Sequence, residues 1–312
     1  MSGGPFMLRH YQPDQDLCHL AQLLKEIEVY DHDREVTTED SLREQLHRPG
    51  HVPELDCWVA TSSEEPDRLI GYCVVFAQAP LRYTLYIVVH PHWRGYGLGS
   101  ALLERVLARA HERSAERIVI TVNEKNEASN SFVRKHGFSR AGSTWLLHAS
   151  AAQTFAKPFW PAGFTVLPYS KLQDITRLVE VHNRCFSDMW GHVENEQEMT
   201  AEGLSSWVAV LNPAGIFVAF APDNDVAGTC YALPADHAGP VDLVDTLGVS
   251  PIYRELKLQK PLLLTAMNWL RSQARKPAIL QSFGDSEQTI ALYRESGFTL
   301  EHHYLSYQRQ LA

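Results

Sequence analysis

Positive charge, cysteine and long apolar runs are all scarce in this chain, and each scarcity closes a route. Only 28 lysines and arginines stand against 37 acidic residues, for a formal net charge of −9. The chain therefore lacks the basic face through which nucleic-acid binders release counterions. Its five cysteines, Cys18, Cys57, Cys73, Cys185 and Cys230, include no CxxC pair. An odd, scattered set suits buried thiols in a reducing compartment better than disulfides or a zinc site. No apolar run approaches the roughly eighteen residues of a membrane span, and the opening MSGGPFMLRH has no apolar core of a secretory signal. The expectation is a cytoplasmic protein with no metal, no nucleic-acid partner and no membrane contact.

What is present suffices for two domains: 312 residues at roughly 150 per domain. At 45% hydrophobic and 21% charged residues, the composition is that of an ordinary globular protein. An internal repeat supports the division. HPHWRGYGLGSALL from His90 lines up with SPIYRELKLQKPLL from Ser250, and SFVRKHGF from Ser131 with ALYRESGF from Ala291, 160 residues on in both cases. FMLRHY from Phe6 answers FTVLPY from Phe164 at nearly the same offset. Two copies of one fold are expected, residues 1–150 and 163–312, joined by an Ala- and Pro-punctuated linker over 151–162.

Within the first copy the pattern reads strand, helices, three strands, glycine loop, helix, strand, helix, strand. Residues 17–30 carry apolar positions at helical spacing, while 57–61, 69–78, 81–90 and 117–123 are β-branched and aromatic. Residues 127–138 read as a helix closed by Gly137. The fold class is α/β, a layer of helices on a mixed sheet.

Between the strand ending at His90 and the helix from Ser100 lies Arg94, Gly95, Tyr96, Gly97, Leu98 and Gly99. Glycines remove the Cβ atoms that would hold a ligand off, so backbone amides can converge on an anion at the positive end of the helix. A plain strand-to-helix turn is the alternative. The dinucleotide fingerprint GxGxxG fails because position 100 is serine, and the Walker A ending Gly-Lys-Ser/Thr is missing. His90 and His92 flank Pro91 and read as turn residues.

With Arg94-x-x-Gly97-x-Gly99 after a strand, then a helix, a strand ending at Asn123, and NEASNSFVRKHGF from Asn126, the chain resembles the GNAT superfamily of acyl-CoA-dependent N-acyltransferases. The likeness covers most of the first copy and, more weakly, the second; tandem members such as mycothiol synthase-like proteins share the two-lobed layout. It implies two GNAT-like lobes, each a mixed, largely antiparallel sheet flanked by helices. It also implies acetyl-CoA as co-substrate, without a metal. Backbone amides from Arg94 to Ser100 (Arg94, Gly95, Tyr96, Gly97, Leu98, Gly99 and Ser100) would hold the diphosphate. Val88 and Val89 would pair with the pantetheine amides, and the Val88 N–H would polarise the acyl carbonyl. Asn126 would either bond the pantetheine arm or cap its helix.

Two departures from the family pattern stand out. The family usually places a tyrosine four residues before the helix-ending glycine as proton donor to the departing thiolate, and here that residue is Val133. Ser129, Asn130, Ser131 or water would have to serve instead. The second copy carries Arg254, Glu255, Leu256, Lys257, Leu258 and Gln259 where the first has its glycine loop, and Ser286 for Asn126, yet keeps a tyrosine, Tyr293. It should not bind coenzyme A in the usual pose. Tyr293 is either a catalytic remnant or a partly buried aromatic of an amphipathic helix.

The acceptor is expected to be a primary amine of a small molecule or peptide, attacking directly in a ternary complex; a non-catalytic acyl-CoA binder is the alternative. Eight acidic residues over 26–44, against Arg34 and Arg43, would draw a cationic amine or simply face solvent. Trp190 and His192 are possible contacts from the second lobe. Base candidates are Glu28, Asp31, Tyr83, Tyr86 and Glu124.

Overall fold

The structure, a computed structural model, describes residues 5–31, 38–48, 50–79, 81–189, 198–235 and 241–311. Two compact units divide the chain: Met1–Ala141 with Leu305–Ala312, and Gly142–Tyr304. This division differs from the one read from the sequence, 1–150 and 163–312 about a linker at 151–162. Residues 142–149 belong with the second unit, and the C-terminal segment belongs with the first.

The first unit runs β1 (Phe6–His10), α1 (Pro13–Asp31), α2 (Glu39–Leu46), the single turn α3 (Pro53–Asp56), β2 (Cys57–Ser62), β3 (Leu69–Ala79), β4 (Arg82–Val89), α4 (Leu98–Glu112), β5 (Arg117–Asn123) and α5 (Glu127–Lys135). Strands β1 to β4 pair antiparallel in sequence order, and β4 pairs parallel with β5. Next to β5 lies the last strand of the chain, β12 (Thr299–Gln310), whose residues from Leu305 onward are the first unit's own. The mixed, mostly antiparallel sheet read from the sequence is therefore present.

Alternation along the strands splits the core between the two faces of this sheet. On one face Leu98, Leu102, Leu103, Val106 and Ala110 of α4 pack with Trp58, Ala60, Val75 and Leu85. On the other, Leu20, Leu23, Leu24 and Ile27 of α1, spaced at three or four residues, pack with Val59, Tyr72 and Val74. Each such buried aliphatic side chain contributes about 1.5–3 kcal/mol.

The second unit continues from β6 (Ser139–Ala149) through β7 (Thr165–Pro168), α6 (Tyr169–Leu172), α7 (Ile175–Phe186), α8 (Ala201–Val208), β8 (Ile216–Phe220), β9 (Val226–Leu233), β10 (Asp242–Val249), α9 (Gln259–Gln273), β11 (Ala278–Phe283) and α10 (Glu287–Glu295) to β12. Its strands lie in the order β6-β11-β10-β9-β8-β7. The pair β10 and β11 is parallel, as β4 and β5 are in the first unit, and its other pairs are antiparallel. Among the described residues no helix is long and apolar enough to cross a membrane.

Candidate active site

In the first unit the parallel ladder joins Arg82–Leu85 to Arg117–Ile120 and goes no further. Beyond it β4 and β5 part, and the gap between Tyr86–Val89 and Thr121–Asn123 opens into a cleft of about 380 Å³. Helix α1 adds Glu28 and Asp31 to its wall, the glycine loop adds Arg94, Gly95, Gly97, Gly99 and Ser100, and α5 adds Asn126, Ser129, Phe132 and Val133.

Strand alternation decides which amides face the gap. The His90 amide donates to the Ile70 carbonyl at 2.9 Å, and the register of β3 with β4 runs without a shift from Gly71↔Val89 back to Ala77↔Tyr83. In an antiparallel ladder every second residue faces the partner strand, so Val88 and Tyr86 point to β3 while Val89 and Ile87 point to the gap. The Val88 amide, read from the sequence as the acyl-carbonyl donor, is thus turned away. The backbone groups on the open edge are those of Ile87 and Val89.

The loop ends on a helix start that, among the described residues, no side chain caps: Gly97, at the N-cap, has φ +83, a left-handed value that favours glycine. The first amides of a helix have no intrahelical partner, and here the cleft lies in front of them. Arg94 behaves otherwise than expected. Its amide donates to the Pro91 carbonyl at 3.3 Å, and its guanidinium grips Asp31 at 2.8 and 2.6 Å while Nε donates to the Val89 carbonyl at 3.1 Å. It ties the loop to the end of α1, and its own amide is spent inside the turn. Leu98 is buried in the core, and Tyr96 is exposed, its ring beside Trp93.

The remaining candidates separate by their partners. Asp31 is committed to Arg94. The Tyr83 hydroxyl accepts from Arg113 Nε at 3.2 Å, away from the cleft. Glu124 is not on the cleft wall, and its carbonyl accepts from Asn130. Glu28 and Tyr86 are on the wall. Asn126 caps α5, its Oδ1 accepting from the Ser129 amide at 3.0 Å, and it also borders the cleft. Asn130 is spent: Nδ2 donates to the Asn123, Glu124 and Asn126 carbonyls, and Oδ1 accepts from Tyr307 at 2.9 Å. Of the proposed proton donors, Ser129 alone lines the cleft. No cysteine does, and burial pushes the Cys57 thiol up to about 12.

The acidic wall is weaker than its sequence suggests. Glu26 faces Arg68 and His90, Asp31 pairs with Arg94, and Asp40 with Arg43. Arg34, Asp33 and Glu35 lie outside the described residues, as do Trp190 and His192.

The second unit keeps the turn and fills the space. Lys257, at the position of Gly97, holds φ +54, so the left-handed bend survives with a side chain on it. Gly248, which answers Val88, lies under α7: a Cβ there would stand 2.6 Å from the Phe186 ring. Tyr293 is fully buried, and its hydroxyl donates to Asp285 at 2.9 Å. Burial raises the Asp285 carboxyl above the ordinary carboxylate range against the bonds from Ser282 and Tyr293. Sequence reading missed Asp285, and no spacing rule would have pointed to it.

A family model described as Acetyltransferase (GNAT) family matches residues 17–138 and 175–298. A mycothiol acetyltransferase of Saccharomonospora viridis is 29% identical over 239 residues, 74% of this chain and 76% of the relative. Among solved structures, a GCN5-related N-acetyltransferase from Sphaerobacter thermophilus superposes with TM-score 0.80 at 19% identity, covering 99% of this chain and 97% of the other. A tandem GNAT protein from the clavulanic acid biosynthesis pathway gives 0.65 at 14% identity, covering 98% of each.

Proposed function

The chain belongs to the acetyltransferase (GNAT) family. On that premise we propose that its first unit transfers the acetyl group of acetyl-CoA to a primary amine by direct attack in a ternary complex. The observation that carries this reading is the parting of β4 and β5 above an uncapped, glycine-lined helix start. A parted strand pair offers backbone groups to an extended amide-bearing arm, and the helix start offers amides to a diphosphate.

In this reading the amides from Gly95 to Ser100 hold the diphosphate, and the gap-facing groups of Ile87 with the Val89 amide hold the pantetheine arm and polarise the acyl carbonyl, the Val89 carbonyl being taken by Arg94. Glu28, on the cleft wall, takes the proton that the attacking amine must lose, with Tyr86 lining the same cleft. As the C–N bond forms and the C–S bond breaks, the thiolate collects a proton from water, either directly or relayed through the Ser129 hydroxyl, which takes one back from water as it gives one up. A thiol of ordinary pKa, about 8.5, leaves without a dedicated acid, which accounts for Val133 in the family tyrosine's place. The second unit shapes the protein without binding a coenzyme A of its own.

Relatives named for mycothiol acetylation put mycothiol-related amines first in the acceptor panel. The test is release of free thiol from acetyl-CoA as each amine is added. Glu28→Gln should lower kcat about 100-fold, the scale of a general base, and leave the KM for acetyl-CoA unchanged. Absence of amine-dependent thiol release across small-molecule and peptide amines would overturn the reading.

A further inference from the structure

Comparison of the two copies sorts side chains into those kept with the fold and those kept with the cradle. The Arg94 clamp is kept with the fold. In the second unit Arg254 grips Asp188 at 2.6 and 2.7 Å and donates from Nε to the Val249 carbonyl at 3.2 Å, although the glycines there are gone. A second pair behaves in the opposite way. Ser100, in the first turn of α4 and on the cleft wall, has its Oγ 3.0 Å from His136 Nε2. The matching residues of the second unit are Lys260 and Ser296, in the copy whose loop carries Glu255, Lys257 and Gln259. The serine–histidine pair is present where the cradle is intact and absent where it is filled.

We propose that His136 is a positioning residue for the diphosphate of the acyl donor, acting through the Ser100 hydroxyl. The inference rests on the acetyl-CoA reading above and adds to it a residue that stands behind the cleft wall. A serine hydroxyl has one hydrogen and, near a helix start, competing local carbonyls to give it to. When His136 Nε2–H donates to Oγ, that oxygen's own hydrogen is freed to turn into the cleft, where a phosphate oxygen would accept it. Phe132 packs against the ring at 4.5 Å between centroids, and Arg309 fixes the backbone that carries it, donating to the His136 carbonyl at 3.0 Å. Burial, then Lys135 and Arg309, lower the ring's pKa below the ordinary histidine value, with Glu104 opposing. The tautomer that carries the ring hydrogen on Nε2 is the one that makes this bond.

The test is steady-state kinetics and calorimetric titration of acetyl-CoA on the full chain. His136→Ala and Ser100→Ala should each raise the KM and Kd for acetyl-CoA about tenfold, the scale of one bond to a charged group, with kcat changed less than about twofold. The double variant should lose no more than the worse single one, because both remove the same bond. His136→Gln, whose amide can donate in the same direction, should return KM to within about threefold of the wild type. An unchanged KM in His136→Ala, losses that multiply toward 100-fold, or a fall in kcat and thermal midpoint without a KM effect would each overturn the role of His136. A wild-type chain that binds no acetyl-CoA would overturn the donor reading itself, and this inference with it.

Discussion

Asp56 is 1% exposed, and a carboxylate that deep persists only because four groups serve it. The Val52 amide donates to it at 2.8 Å, Arg109 Nε at 2.8 Å, Arg113 at 3.3 Å, and His51 Nδ1 lies 3.2 Å away. Burial alone would raise its pKa, but the nearby His51 ring and the bonds from Val52 and Arg109 outweigh burial and hold it well below the usual carboxylate range. A depressed folded-state pKa gives stability that is fully present above the unfolded value of about 4 and is lost as pH falls through the folded one. Asp56→Asn should therefore cost about 3 kcal/mol at pH 7, leaving Arg109 with only the exposed Glu112 as counter-charge. The gap to wild type should narrow in urea titrations at pH 4 and again at pH 3. A gap constant across that range would show that the charge of Asp56 is not what stabilises. At this scale the sequence disclosed residue types and not partners: Arg94 finds Asp31 across 63 positions, and folding alone brings them together.

The glycine loop and the helix it opens were the most legible element, because conformational freedom and apolar periodicity are local properties. The helix over α1, the strand 117–123 and the helix ending before Gly137 lie where period and capping signals placed them. Less legible was the facing of Val88, since one residue of strand alternation reverses an amide and only the pairing with β3 fixes it. The loop also carries a prediction. Gly97 has φ +83 with nothing within 4 Å of where a Cβ would stand, and Lys257 shows that the same bend tolerates a side chain in the second unit. Gly97→Glu should cost about 1–2 kcal/mol for the left-handed backbone, leave the fold intact by circular dichroism, and abolish acetyl-CoA binding by placing a carboxylate where a diphosphate would lie. Normal titration of acetyl-CoA by that variant would reduce the loop to a turn.

At the scale of the whole chain the repeat was readable and the ownership of its last strands was not. Each copy ends in a strand after a helix and a glycine, so β6 and β12 are alike in pattern and local sequence cannot say which sheet each joins. Tertiary pairing gives β6 to β11 from Thr144 to Ala149 and gives Leu305 onward to the first unit. There Leu305 and Tyr307 join the α4 core, Leu311 donates to the Glu116 carbonyl at 2.8 Å, and the Tyr307 hydroxyl fixes Asn130, which pins the corner between β5 and α5. Asn123, Asn126 and Ser129 of that corner line the cleft, so the end of the chain supports a site about 180 residues upstream by way of one buried asparagine. Deleting everything after Tyr304 should therefore destabilise the first unit by about 4 kcal/mol or more, through two lost core side chains. It should also abolish acetyl-CoA binding while the second unit still unfolds cooperatively. Tyr307→Phe, which keeps the ring and removes the bond to Asn130, should cost only about 1–2 kcal/mol and weaken acetyl-CoA binding without eliminating it. If the truncated chain bound acetyl-CoA as the intact one does, residues 1–141 would be a self-sufficient unit and the C-terminal strand an ornament on it.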